Sequence, residues 1–246
     1  MADRSFLNWP FFEDHHRKLA EDLESWCLKN LPVDHSDVDT ACKNLVTMLG
    51  EAGFLTHSAI DPDKPKPLDV RSLCLIRETL ARHDGLADFA FAMQGLGTGT
   101  ISLFGSDEQK QWLHSTRSGK AISAFALSEP RSGSDVANMD MTAEKDGDHY
   151  ILNGEKTWIS NGGIADLYCV FARTGEAPGA RGISAFLVPA ETPGLGIKER
   201  LHVIAPHPLA TLSFKDVRLP ANSLIGEAGQ GFKQSMSVLD VFRSTV

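Results

Sequence analysis

Hydrophobic spacing divides the chain at about residue 120 into a helical part and a strand-like part. In the first part Phe12, Leu19, Leu23 and Trp26 recur at intervals that line one face of a helix. Val38, Cys42, Leu45 and Leu49 mark a second such face, with Ser36 placed to cap its start and Gly53 to end it. A third pattern runs from Val70 through Leu73, Ile76 and Leu80 to a stop near Gly85. The segment 86–103 is apolar nearly all round, which predicts a buried helix. Ser106 and Gln109 have the spacing of a capping box that opens one more helix, through Trp112.

From Ala121 the texture changes. Ala121 to Leu127 is a short apolar run suited to a buried strand. Asp146-Gly147 and Asn153-Gly154 predict two hairpin turns, with strands at His149 to Leu152 and Glu155 to Ser160. Leu167 to Ala172, Gly182 to Val188 and Ala210 to Phe214 read as further strands. Such frequent turns suit a compact antiparallel sandwich or barrel. After Gly229-Gln230-Gly231 a helical pattern returns with Phe232, Met236, Leu239 and Phe242, and it is still running at Val246. An apolar helix at a domain edge needs a partner, so a truncated helical domain is expected there. The reading is an α+β chain: an all-helical domain over 1–120, an antiparallel β-barrel-like middle domain over 121–228, and the first helix of a missing C-terminal helical domain over 229–246.

Composition narrows the function. The 246 residues, 42% hydrophobic and 23% charged, allow one large globular domain or two ordinary ones. A formal net charge of -8 disfavours nucleic-acid binding, which needs a basic stripe. No apolar run approaches the roughly 20 residues of a membrane span. Asp3, Glu13 and Asp14 near the start argue against a secretory signal or a mitochondrial presequence, so a cytoplasmic location is expected. Cys27, Cys42, Cys74 and Cys169 form no C-x-x-C pair and have no histidines at ligand spacing, so no metal site is expected. They read as buried apolar residues in a reducing compartment, and the nine histidines as surface or capping residues.

Three segments carry candidate chemistry. In FALSEPRSGSD, residues 125–135, a strand ends at Leu127 and a loop follows. Ser128 and Ser134 offer hydroxyls, Pro130 stiffens the turn and Gly133 admits close backbone approach. Such a loop suits a ligand with phosphates and a heteroaromatic ring, although a Ser-Gly-Ser turn is commonly only a turn. In NGEKTWISNGG, residues 153–163, a strand puts Trp158 and Ser160 on one face and Ile159 on the other, offering an aromatic plane and a hydroxyl. Taken alone, Trp158 reads first as a core or edge tryptophan, since aromatic side chains mostly serve packing. Asp240 and Arg243, three apart on the last helix, suit either an ordinary ion pair or ligand contacts. Gly95-Leu96-Gly97-Thr98-Gly99 lacks a preceding strand and the full dinucleotide spacing, so it is not a nucleotide loop.

Together with FGSDEQKQWL (104–113) and FKDVRLPANSLIGEAGQGF (214–232), these segments in this order resemble the acyl-CoA dehydrogenase family. The resemblance covers nearly the whole chain and is strongest from residue 101 on. It implies that FAD is the cofactor, contacted by Phe125, Leu127, Ser128, Gly133, Ser134, Trp158, Ile159 and Ser160. Ser128 and Ser160 would bond the flavin's polar edge, and Trp158 would flank its ring. Ser134, Asp240 and Arg243 would contact an acyl-CoA substrate. Where many members carry tyrosine and threonine, this chain has Phe125 and Ser128.

The implied reaction moves an α-proton to a glutamate base and a β-hydrogen to the flavin as hydride. A minority of members hold that base immediately before the D-x-x-R arginine, where this chain has Phe242. The base is therefore expected beyond Val246, with no catalytic residue in this chain. An electron-transferring flavoprotein is the implied acceptor, and a homodimer or homotetramer the implied assembly. An acyl-CoA oxidase, a flavin monooxygenase or a non-catalytic flavoprotein fragment are the alternatives on the same fold.

Overall fold

A computed structural model describes residues 3–245. Four main helices come first: α1 (Asp14–Asn30), α2 (Val38–Glu51), α3 (Val70–His83) and α4 (Gly85–Phe104). Two short ones follow, α5 (Asp107–Lys110) and α6 (Trp112–Arg117).

Their ends follow from capping chemistry. The Glu13 N–H donates to Nδ1 of His16 at 3.0 Å, which makes His16 a buried cap residue of α1 and not a surface one. Asp37, not the expected Ser36, caps α2; its carboxylate takes the Thr40 N–H at 3.1 Å and the Thr40 hydroxyl at 2.7 Å. A carboxylate is the stronger acceptor for a helix's free N–H groups, and Ser36 instead donates to Asp34. Gly53, with φ of 84°, ends α2 as expected. The expected Ser106–Gln109 capping box opens α5.

Eight strands form one sheet: β1 (Ser123–Ala126), β2 (Thr142–Asp146), β3 (His149–Ser160), β4 (Leu167–Arg173), β5 (Ile183–Pro189), β6 (Leu195–Arg200), β7 (Leu209–Pro220) and β8 (Leu224–Ile225). The order is β6-β7-β3-β2-β4-β5-β8, with β1 also on β4. The pairings are antiparallel except for β1 with β4 and the contact of β2 with β4 at Thr142 and Arg173. The sheet therefore has two antiparallel halves meeting along β4. Its ends, β6 and β8, do not pair, so the barrel-like expectation is too strong and the sheet is open.

Asp146-Gly147 makes the β2–β3 hairpin as expected. Asn153-Gly154 does not make a turn. It lies inside the 12-residue strand β3 at a register shift opposite β7. Asn153 exchanges hydrogen bonds with Asp216 at 3.1 and 2.8 Å, and a Cβ on Gly154 would come within 2.8 Å of the Met141 side chain. The same residues that favour a hairpin turn here build a bulge.

The core runs from the helices into the sheet without a break. Leu23, Leu45, Leu49 and Phe91 belong to one buried cluster with Val170, Phe186 and Leu212. Helix α4 lies at the centre of this junction. Its Gln94, fully buried, donates to Ala121 O at 2.8 Å and Thr116 O at 3.2 Å, and accepts the Ser123 N–H at 2.8 Å. The glycines of the GLGTG run bring neighbours against α4. A Cβ on Gly97 would lie 2.7 Å from the Ser123 carbonyl carbon, and one on Gly99 would lie 2.6 Å from Val238. A Cβ on Gly95 would overlap the Phe242 ring. Val238 and Phe242 belong to the last helix, α7 (Gly231–Phe242). Among the described residues no helix is long and apolar enough to cross a membrane.

Candidate functional site

Strand β1 follows α6, packs along α4 and delivers Leu127 and Ser128 to the mouth of a cleft between the sheet, α4 and α7. The cleft is about 440 Å³ and is lined by Phe125, Leu127, Ser128, Gly133, Ser134, Trp158, Ile159, Ser160 and Arg243. All the candidate cofactor contacts of the two motif segments, with Arg243, thus open onto one cavity. Asp240 is exposed and does not line it. Spacing alone could not separate the two, because residues three apart on a helix need not reach the same cleft.

Two lining groups lie outside the FALSEPRSGSD and NGEKTWISNGG segments. Met93 and Leu96 of α4 make one apolar wall and Phe232, Met236 and Leu239 of α7 another. The α7 face is periodic in the sequence. The α4 residues carry no such signal, because a helix apolar all round does not show which side faces a ligand.

The loop from Ser128 to Met141 is tightly held. Glu129 and Ser132 exchange backbone hydrogen bonds at 3.0 and 3.1 Å, and the Ser132 hydroxyl donates to Asp135 O at 2.6 Å. The Thr157 N–H donates to Ser128 O at 2.9 Å, joining the loop to β3. Lys156 Nζ, fully buried, donates to Leu127 O at 3.0 Å and to Glu129 Oε1 at 2.7 Å. The Glu129 carboxylate also accepts the N–H groups of Asp140 and Met141. At the far end Arg173 donates to Ala137 O at 2.8 Å and Met139 O at 3.2 Å. Burial pulls the Lys156 ammonium down to about 8, against the opposing pull of the Glu129 carboxylate.

Trp158 has φ of 59° and is 60% exposed. A bulky residue in the left-handed region costs roughly 1–3 kcal/mol and persists only where its surroundings fix it. Here Ile159 and Ser160 pair with Ala210 and Leu209 on one side, and Thr157 is tied to Ser128 on the other. The indole is held out at the cleft rather than packed in the core.

A cluster of His15, His16 and Asp69 lies elsewhere, on α1 and at the start of α3. His16 Nδ1 accepts the Glu13 N–H, so Nε2 carries the proton it shares with Asp69 at 2.7 Å. That arrangement leaves His16 no lone pair for a metal. The cluster is a cap network joining α1 to α3.

Family models match over two long stretches: the acyl-CoA dehydrogenase N-terminal domain over residues 13–120 and the acyl-CoA dehydrogenase middle domain over residues 124–217. The chain belongs to the acyl-CoA dehydrogenase family. A probable acyl-CoA dehydrogenase of Mycobacterium tuberculosis is 35% identical over 239 residues, which cover 95% of this chain and 61% of that protein. The chain thus spans about three fifths of that curated relative's length. The crystal structure of an acyl-CoA dehydrogenase from Geobacillus kaustophilus superposes with a TM-score of 0.84 at 31% identity, covering 96% of this chain and 64% of that one. An acyl-CoA dehydrogenase complexed with FAD, from Bacillus anthracis, gives a TM-score of 0.85 at 29% identity, covering 100% and 45%. The acyl-CoA dehydrogenase fold accounts for the open sheet with its helical N-terminal part.

Proposed function

We propose that this chain supplies the FAD-binding cleft, and part of the thioester-binding surface, of an enzyme that dehydrogenates an acyl-CoA between its α and β carbons. The observation that carries the reading is the meeting of both motif segments and Arg243 on one cleft. The residues fit the cofactor. A tricyclic ring needs apolar walls with hydrogen-bonding groups at one edge, and the cleft combines Phe125, Leu127 and Ile159 with the hydroxyls of Ser128 and Ser160. No protein atom lies within 4 Å of where a Cβ on Gly133 would stand, so that side of the loop is open to a ligand.

Bound FAD would supply the two-electron acceptor. The chain's own groups would bind and orient. Ser128 and Ser160 would bond the ring's polar edge, Trp158 would flank it, and Ser134 would lie toward both FAD and the CoA portion. Arg243 supplies a cation for the substrate's anionic groups, and Asp240 is a contact only for substrate reaching past the cleft. An electron-transferring flavoprotein is the proposed acceptor, and the solved relative with FAD supports the cofactor assignment.

The proton-abstracting base is proposed to come from outside this chain. Phe242, at the position where some members carry a glutamate, is buried with its ring against Gly95 and Gly99. The carboxylate lining the cleft, Asp135, is held by the Asn138 amide.

The test is to load the 246-residue chain with FAD, remove free flavin and add an acyl-CoA without oxygen. Retained flavin absorbance, weakened by Ser128→Ala and Ser160→Ala, is expected, with no bleaching on adding substrate. Failure to retain FAD overturns the cofactor reading. Full bleaching overturns the external base.

A further inference from the structure

We propose that Glu129 and Lys156 form a buried clasp that positions the 128–141 loop, so that the loop's ligand-facing residues are set by an ion pair that itself touches no ligand. The inference rests on the FAD reading above and adds a positioning pair to it.

The clasp has two jaws. One carboxylate, Glu129, binds both ends of the loop: it sits at the loop's start and accepts the N–H groups of Asp140 and Met141 at its end. One ammonium, Lys156, fixes that carboxylate to β3 at 2.7 Å and also holds Leu127 O at 3.0 Å. Neither residue lines the cleft, yet Ser128, Gly133, Ser134, Asp135, Val136 and Ala137 all do. Lys156 lies two residues before Trp158. The register shift between Lys156 and Ile159 thus places the exposed indole two residues after the buried ammonium. An apolar pair of equal volume would serve stability at least as well, because burying two charges costs solvation. What apolar groups cannot do is hold two backbone N–H groups and a carbonyl at fixed positions. That need accounts for charges at this depth.

The loop carries its own reporter. Arg131, exposed at the loop's tip, is a trypsin site with its side chain 85% exposed, and loosening of the hydrogen-bonded loop around it should speed cleavage there. The experiment uses the full chain with Lys156→Met, the double variant Glu129→Gln with Lys156→Met, and Arg218→Met. The last breaks the surface pair with Asp146 as a control. Two quantities are read: the rate of tryptic cleavage after Arg131 without FAD, and the FAD dissociation constant from quenching of flavin fluorescence.

Both Lys156 variants are expected to raise cleavage after Arg131 at least tenfold over cleavage at other sites, and to weaken FAD binding at least tenfold. Arg218→Met should change neither. The double variant leaves no unpaired buried charge, so it keeps the test valid if Lys156→Met does not fold. Wild-type cleavage and FAD affinity in the double variant overturn the proposal. So does faster cleavage spread evenly over all sites, which is global unfolding. If wild type itself fails to bind FAD, the cofactor reading falls. The cleavage rates then still decide whether the clasp holds the loop.

Discussion

Gly97→Ala tests the packing that sets the cleft's back wall. The glycine lies in the middle of α4, where alanine favours a helix by about 1 kcal/mol. In isolation the substitution would stabilise. In the fold, the new methyl would lie 2.7 Å from the carbonyl carbon of Ser123, a backbone atom that cannot rotate away. To reach ordinary contact, α4 and β1 must separate by about 0.7 Å. Overpacking of this kind costs about 1–3 kcal/mol. The separation also stretches the buried bonds between Gln94 and Ser123, at 2.8 and 3.1 Å, and a buried group left unpaired costs about 1–3 kcal/mol. The net expectation is a loss of roughly 3 kcal/mol, since clash and lost bonding outweigh helix propensity.

Urea unfolding followed by far-UV circular dichroism measures it. Gly85→Ala is the control: no atom lies within 4 Å of its Cβ position, so it should leave stability unchanged or raise it by up to about 1 kcal/mol. If Gly97→Ala matched the control, the close approach of α4 to β1 would not be what holds the wall. Because β1 leads directly to Ser128, Gly97→Ala should also weaken FAD retention by the folded protein.

Three further outcomes are expected. Asp84→Ala should lower stability by about 2–4 kcal/mol in the same assay, because the buried carboxylate accepts from Val33 N, Leu86 N and His35 Nε2 at 2.8–3.1 Å and all three lose their partner; a loss under about 0.5 kcal/mol, the low end for a cap, would refute this. Ellman's reagent at pH 8 should react with no more than one thiol of the native protein, Cys74. Burial pushes Cys27, Cys42 and Cys169 up to about 12, while all four cysteines should react in denaturant. Gly147→Ala should cost about 1 kcal/mol, since φ of 60° at the β2–β3 turn is strained for any residue with a Cβ; thermal unfolding would show it as a lower midpoint.

Much of this was legible in the sequence where one residue type has one physical use. The helical faces followed from spacing, Gly53 from its place after α2, and Ser106 with Gln109 from capping chemistry. Strand β6 escaped notice because its alternation stops after Leu195 and Ile197, and Lys198, Glu199 and Arg200 are those of a charged edge that blocks unwanted pairing. Asn153-Gly154 misled because a turn and a bulge need the same backbone freedom, and only the partner strand decides between them. In the cleft, the motif residues were legible as a set. The wall from α4 was not, and neither was the Glu129–Lys156 pair, whose partners lie 27 residues apart and meet only through the fold.

The core that passes unbroken from the helices into the sheet bears on how the protein comes apart. A chain whose halves share buried side chains, and whose first strand is bonded to a helix through Gln94, cannot lose one half and keep the other intact. Denaturant should therefore give a single two-state transition, with tryptophan fluorescence and circular dichroism changing together. Such a transition would make the helical and β parts, separate in sequence pattern, one unit in thermodynamic cooperativity. A ligand seated at the sheet would then protect α1 through α4 from unfolding as fully as it protects the strands it touches.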